Sequence, residues 1–353
     1  MIFLEMPAGV GFSYANSPSG YVTNDTQQAV DNFNAMQVLF QEFPEYASRD
    51  FYITGESYAG MYVPTLALQI LDNNKAGRSN INLKGIMVGN GVIGQGAQDS
   101  TPILVDFLFG HGLFSQVTYA AITKACGDYT QPLSAACLSA VKQAQYEVSE
   151  VNIYDIYTPC INSGFPPAAQ YMSHYTNPLN SRSRRRPLND IEALLLGAND
   201  GGVLGPVGCI DAGAASAYLN QESVRKAIHV APASLIGNWS ICTNKITYGF
   251  TMGSLLPYYK NDLIPNIRVV IYNGDVDSCV PYNGNELWTS SLDIPVVTPW
   301  RAWFHNKQVA GYATTFESNF QFVSVKGSGH MVPQYRPVAA LAMFSHFLND
   351  TPF

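Results

Sequence analysis

Phe51-Tyr52-Ile53-Thr54-Gly55-Glu56-Ser57-Tyr58-Ala59-Gly60-Met61 is the stretch on which the fold turns. Phe51 to Thr54 is short and β-prone, and Met61 to Leu71 is an apolar run of helical length. Between them stands a serine flanked by small residues, of the Gly-x-Ser-x-Gly type, with Ala59 at the fifth position and Gly60 after it. A serine at so sharp a strand-to-helix turn sits in strained backbone. Gly55, Ala59 and Gly60 would let strand and helix approach closely there. Such an elbow lifts the Ser57 hydroxyl to the end of the sheet and aims the Tyr58 amide at a developing oxyanion.

Upstream, Ile2-Phe3-Leu4 reads as a buried strand. Pro7 to Tyr14 reads as a Gly-rich loop lining a pocket; it lacks the Lys-Ser/Thr ending of a phosphate cradle. Thr23 to Thr26 offers N-cap residues, and Ala29, Val30, Phe33, Met36, Leu39, Phe40 and Phe43 keep helical spacing as far as Pro44. Downstream, Leu83 to Val88 gives another strand, ending at Gly89-Asn90-Gly91. Strand, helix, strand, helix, strand implies parallel pairing with right-handed crossovers. With the elbow, this predicts an α/β-hydrolase fold: a central, mostly parallel sheet flanked by helices.

From about Gln95 to Asp200 the pattern changes to short helical pieces (Pro102 to Gly110, Val117 to Cys126, Leu133 to Tyr146) and polar loops. We read residues 95–200 as an inserted helical cap, and 1–94 with 201–353 as the hydrolase core. Within the cap, Asn177 to Pro187 reads as an exposed loop, and Arg184-Arg185-Arg186 as a processing site or a solvated basic loop. Ile267 to Tyr272 is the clearest buried strand. Arg301 to His305, Gly311 to Glu317 and Phe320 to Val325 follow as strands, and Val338 to Leu348 as a closing helix.

The chain has 353 residues, a formal charge of −7 and 47% hydrophobic residues, enough for one large α/β domain with an insertion. No basic patch suggests nucleic acid, and no apolar stretch reaches membrane-spanning length. No metal cluster or cofactor motif is present, so neither is expected. Met1 to Glu5 lacks the basic start of a signal peptide. The 6 cysteines lie in loop-like surroundings, and sequons occur at Asn24, Asn238 and Asn349. Together they point to the secretory pathway, vacuolar, lysosomal or extracellular.

A serine nucleophile needs a base to take its proton and a carboxylate to orient that base. In this fold the chain order is serine, acid, histidine. Asp275 and Asp277 both follow the strongest strand, and alternation cannot separate residues two apart. His330 lies in the Gly327-Ser328-Gly329-His330 loop, after a strand and before the last helix. The other histidines fall in the cap, before the acid, or inside elements.

Gly55 to Gly60, Gly274-Asp275-Val276-Asp277 and Gly329-His330-Met331-Val332-Pro333 together resemble the three signatures of the serine carboxypeptidase family, in order. Ile2 to Tyr14, Leu219 to Val230 and Asn238 to Cys242 resemble further stretches of it. The resemblance implies Ser57 as nucleophile, Asp277 as the orienting acid, His330 as general base and the Tyr58 amide as an oxyanion donor. It implies that Glu56, protonated, helps bind the substrate's terminal carboxylate, which would favour acidic pH. Met331 resembles the position that favours apolar side chains near the scissile bond.

The expected activity is release of C-terminal amino acids from peptides and proteins through an acyl-enzyme. Alternatives are an esterase or acyltransferase of the same fold, or an inactive truncated homologue. The family's Asn-Gly-Gly-Pro-Gly-Cys-Ser-Ser segment has no match here, so the chain is expected to lack the family's N-terminal portion. Its cysteine would be the partner of Cys242, which is expected unpaired. Cys126–Cys137 and Cys160–Cys209 are the expected bridges, and Cys279 resembles a cysteine close to the acid.

Overall fold

Leu83 to Gly89 and Arg268 to Gly274 are almost wholly buried, so both faces of those strands need cover, and this decides the layering. The protein is described by a computed structural model covering residues 1–94, 101–127, 129, 133–148, 151–160 and 209–353. In chain order, β1 (Val22–Asn24) leads into α1 (Asp25–Glu42), whose N-terminus is capped by the Asn24 side chain accepting from the Gln27 amide at 2.9 Å. Then come β2 (Phe51–Glu56), α2 (Ala59–Lys75) and β3 (Leu83–Gly89). Three helices follow, α3 (Thr101–Gly110), α4 (Gln116–Cys126) and α5 (Ala135–Glu147). The chain closes with β4 (Thr247–Gly249), β5 (Arg268–Gly274), α6 (Tyr282–Ser290), β6 (Val296–His305), β7 (Gln308–Phe316), β8 (Phe320–Val325) and α7 (Pro337–Asn349).

The main sheet has the order β2-β3-β5-β8-β7-β6. Its first four strands are parallel, and β7 and β6 complete it antiparallel. The two-residue link Asn306-Lys307 has φ of 48° and 60°, the conformation that suits a tight antiparallel hairpin. Strand alternation sorts the core into two faces. Ile86, Val88, Val269, Ile271, Phe320 and Phe322 pack with α2 and with Trp288 of α6. Met87, Val270, Tyr272, Val323 and Val325 pack on the other face with Met343 and Phe347 of α7. Burying one such side chain contributes about 1.5–3 kcal/mol, so this doubly covered centre is where most apolar stabilisation gathers. Phe33 and Met36 of α1 reach it through Leu66 and Ile70 of α2.

Helices α3, α4 and α5 have a separate core, Val105, Leu108, Ile122, Val141 and Ala144 among them. Cys126 and Cys137 are bonded across α4 and α5, and Cys160 to Cys209, while Cys242 is a free thiol. The cap boundaries near 95 and 200 and the 177–187 loop with Arg184 to Arg186 lie outside the described residues.

Two features depart from the sequence reading. Ile2-Phe3-Leu4 is irregular and its side chains are exposed. Among the described residues no strand pairs with it, and an extended segment without a ladder neighbour has nothing to bury its apolar side chains against. The second is a small parallel pair, β1 with β4, which joins residues far apart in the chain beside the elbow. Three-residue strands carry no readable alternation.

Candidate active site

All four parallel strands of the main sheet end at one edge, and each delivers a polar residue there: Ser57 after β2, Asn90 after β3, Asp277 after β5 and His330 after β8. Open α/β sheets collect their chemistry at this edge because successive loops converge there. Ser57 has φ of 62°, the left-handed conformation that non-glycine residues adopt at a cost of about 1–2 kcal/mol. It is held by backbone contacts, its amide donating to Gly89 at 3.0 Å and its carbonyl accepting from Gly60 and Val92 at 2.9 and 3.2 Å. A Cβ on Gly60 would stand 2.1 Å from the Val92 carbonyl oxygen, and one on Gly55 would stand 2.5 Å from the Ala59 Cβ. Bare backbone is what lets α2 start so close to the sheet.

Asp277 is fully buried and His330 nearly so. His330 Nδ1 and Asp277 Oδ2 are 2.7 Å apart. With Nδ1–H donating to the carboxylate, Nε2 is the ring nitrogen that can accept a proton. Asp277 is saturated with donors: Oδ2 also accepts from Asn90 Nδ2 at 2.8 Å and the Val280 amide at 3.2 Å, and Oδ1 accepts from the Cys279 amide at 2.9 Å. Asn90 in turn accepts from the Gly274 amide at 3.0 Å. Asp275 faces a different partner, the Gly327 amide at 2.6 Å, which ties the acid loop to the histidine loop. The structure thus separates the two aspartates that alternation could not.

Glu56, the last residue of β2, has its pKa pushed up to about 7. Burial is the main cause; proximity to His330 pulls it down and proximity to Asp277 pushes it up. For His330, burial works against the charged ring, but the Asp277 charge and hydrogen bond, and then Glu56, leave its pKa above the ordinary value. Glu56, Asp277 and His330 therefore form one electrostatic group. Met331 is half-buried directly after His330, at the start of a short helix, Val332–Tyr335. The Tyr58 amide stands at the N-terminus of α2, where backbone N–H groups favour negative charge. Among the described residues no group of acids, histidines and cysteines could hold a metal ion.

Asn90 and Asp25 were not singled out in the sequence. Gly89-Asn90-Gly91 after a strand was the available signal for the first. For Asp25 there was none, because its partners are distant in the chain. Asp25 opens α1, is buried, and accepts four hydrogen bonds. Its Oδ1 takes Tyr58 Oη at 2.6 Å and Tyr248 Oη at 2.9 Å, and its Oδ2 takes the Thr251 and Met252 amides at 2.6 and 2.9 Å. The Tyr58 ring also packs edge-on against Tyr62, Tyr248 and Phe250. The residue after the serine is thereby locked by its side chain, which holds its backbone amide in place. Asp25→Ala would leave two phenols and two amides without their acceptor. It is expected to lose on the order of 3–5 kcal/mol of stability, read by urea unfolding. A variant as stable as the parent would show that the network is not under load.

A family model described as serine carboxypeptidase matches residues 1–350. Serine carboxypeptidase-like 20 of Arabidopsis thaliana is 37% identical over 375 residues, covering 99% of this chain and 74% of that protein. Serine carboxypeptidase 1 of Hordeum vulgare is 37% identical over 367 residues, covering 99% of this chain and 73% of that protein. Among solved structures, Kex1Δp, a prohormone-processing carboxypeptidase of Saccharomyces cerevisiae, superposes with a TM-score of 0.69 at 18% identity, over 99% of this chain and 73% of that one. That likeness carries the α/β-hydrolase fold. The family match and the near full-length identity carry more: the chain belongs to the serine carboxypeptidase family and is a serine-type carboxypeptidase, a hydrolase of peptides.

Proposed function

We propose that Ser57, His330 and Asp277 form the catalytic triad and that peptide C-termini are cleaved through an acyl-enzyme on Ser57. The observation that carries this is the buried 2.7 Å contact of His330 with Asp277, at the sheet edge where Ser57 is held in left-handed backbone. His330 Nε2 takes the Ser57 proton as Oγ attacks the last peptide carbonyl. The Tyr58 amide donates to the oxyanion. His330 then returns the proton to the leaving amino group, and a water, activated in the same way, releases the acyl group. Met331, half-buried beside the base, supports a preference for apolar side chains at the scissile bond. The test is release of leucine from the blocked dipeptide Z-Phe-Leu, followed from acid to neutral pH.

Glu56 supplies the selection for a free C-terminus. A carboxylate would repel the substrate's terminal carboxylate, but a carboxylic acid donates a hydrogen bond to it. With a pKa of about 7, Glu56 is protonated below neutrality and ionises above it. His330 must be neutral to act as base, so activity requires one shared proton to reside on Glu56 rather than on the ring. The kcat/KM profile is expected to be a bell whose alkaline limb falls through about pH 7 as Glu56 loses its proton. Glu56→Gln should remove that limb. The acid limb should hardly move, since Glu56 already carries no charge in the pH range where that limb falls. An alkaline limb unchanged in Glu56→Gln would dismiss this role.

The two bridges, and exposed Asn238 and Asn349 in their sequons, support passage through the secretory pathway. No helix among the described residues is long and apolar enough to cross a membrane.

A further inference from the structure

The acid loop and the base loop leave neighbouring strands, β5 and β8, and past the end of the sheet the Val276 amide donates to Ser328 at 3.0 Å and the Gly327 amide to Asp275 at 2.6 Å. A segment that follows α5, Asn152 to Ile156, is inserted against both. The Ile153 carbonyl accepts from the Ser278 and Cys279 amides at 3.0 and 3.1 Å and from Ser278 Oγ at 2.9 Å. The Ile156 amide donates to Val276 at 3.1 Å. One residue from Ile153, the Tyr154 carbonyl accepts the His330 amide at 2.7 Å. Adjacent carbonyls therefore grip the acid loop and the base residue itself.

The segment is stiff in its own right. Asn152 and Asp155 are buried; Asn152 Oδ1 accepts the Tyr154 amide at 3.1 Å, and Asp155 Oδ1 accepts the Tyr157 amide at 3.1 Å. Beyond it, Cys160 is bonded to Cys209. Contact with the base loop is close. A Cβ on Gly329 would stand 2.1 Å from the Tyr154 carbonyl oxygen and 2.6 Å from the Asp155 Cβ. The Tyr154 ring, itself buried, lies against the imidazole of His330, with centroids 5.2 Å apart and the planes inclined at 56°.

We propose that Tyr154 is a positioning residue: its ring walls one side of the His330 imidazole, while its segment adds a second tie between the acid and base loops beside their direct hydrogen bonds. Among the described residues the imidazole's hydrogen bond is the one from Nδ1 to Asp277, and packing against the ring face opposes rotation of the ring about its Cβ–Cγ bond. A ring in contact with the imidazole stops it and keeps water from the Asp277 hydrogen bond. The hydroxyl plays no part in this, so the effect should follow ring volume. This rests on the triad reading given above.

The test compares Tyr154→Ala, Tyr154→Leu and Tyr154→Phe in the full chain. Two quantities are read: the KM-against-kcat split on Z-Phe-Leu, and the far-downfield proton resonance of the His330–Asp277 hydrogen bond. Tyr154→Ala is expected to lower kcat about 10²-fold, the loss that a small misplacement of a catalytic group produces, with KM unchanged and the resonance broadened away. Tyr154→Phe should match the parent in both. Tyr154→Leu, which is smaller and has no flat ring to lie against the imidazole, is expected to lose kcat by an intermediate factor and gives the reading where the alanine variant does not fold. Parental kcat in the folded Ala or Leu variant would overturn the proposal. So would a kcat loss with the resonance intact, or a Phe variant as impaired as Ala. Failure of the triad reading looks different: activity of the parent would then survive Ser57→Ala.

Discussion

Ser57→Ala is expected to abolish leucine release from Z-Phe-Leu, with kcat falling about 10⁶-fold, the loss seen when the nucleophile of an interdependent triad is removed. The residual rate would come from the oxyanion donor and from binding, so KM should hardly move. The backbone makes a second, independent reading available. Ser57 holds φ at 62°, and alanine there keeps the left-handed strain, so Ser57→Ala should unfold at close to the parental urea midpoint. Ser57→Gly relieves the strain and is expected to gain about 1 kcal/mol while being equally inactive. Stability bought by removing the nucleophile would be direct evidence that the elbow is held strained for its chemistry. Parental activity in Ser57→Ala would end the triad reading outright.

Asp277→Asn is expected to cost about 10³-fold in kcat, and the hydrogen bonds around the carboxylate decide that figure. An amide can present its oxygen on either side. Oδ2 faces three donors, His330 Nδ1, Asn90 Nδ2 and the Val280 amide, whereas Oδ1 faces only the Cys279 amide. The amide oxygen therefore takes the Oδ2 place, and its NH₂ collides with one donor instead of three. His330 keeps its Nδ1–H tautomer, so the roughly 10⁴-fold loss of a tautomer-inverting substitution is avoided. What disappears is the countercharge of the imidazolium formed in the transition state. At 4 Å and an effective dielectric of 20 that is about 4 kcal/mol, or about 10³-fold. The same substitution removes the charge that raises the His330 pKa, so the acid limb of kcat/KM should move to lower pH. An acid limb that fails to move downward would mean that the Asp277 charge is not what raises the His330 pKa.

Much of the proposed site could be put forward from the sequence because elbow chemistry is local. Gly55, Ser57 and Gly60 must be near one another in sequence to make a tight turn, and His330 in a glycine-flanked loop after a strand follows the order that the fold imposes. Strands 83–88 and 320–325 declared themselves because buried strands are dense in apolar residues. Ile2 to Leu4 has the same density and is exposed, since composition reports what a segment could bury and not whether a neighbour is there to bury it. The hub at Asp25 and the brace at Tyr154 left no trace in the sequence. Their partners lie beyond the reach of any periodic pattern, and single residues in loops carry none.

The sequence by itself determined the fold class and the strand-to-helix elbow, and it put forward Ser57 and His330 for the proposed roles of nucleophile and base, because each rests on short-range geometry or on a compulsory chain order. Alternation left Asp275 and Asp277 open, the family resemblance favoured Asp277, and only the tertiary structure gave the two different partners. Residues two apart share a side of an extended chain, and it is the loops of β3 and β8 that give one of them Asn90 and His330 and the other Gly327. It alone also brought Asp25 under Tyr58 and Tyr154 against His330. Those contacts cross between elements, and their partners are chosen by packing of the whole domain.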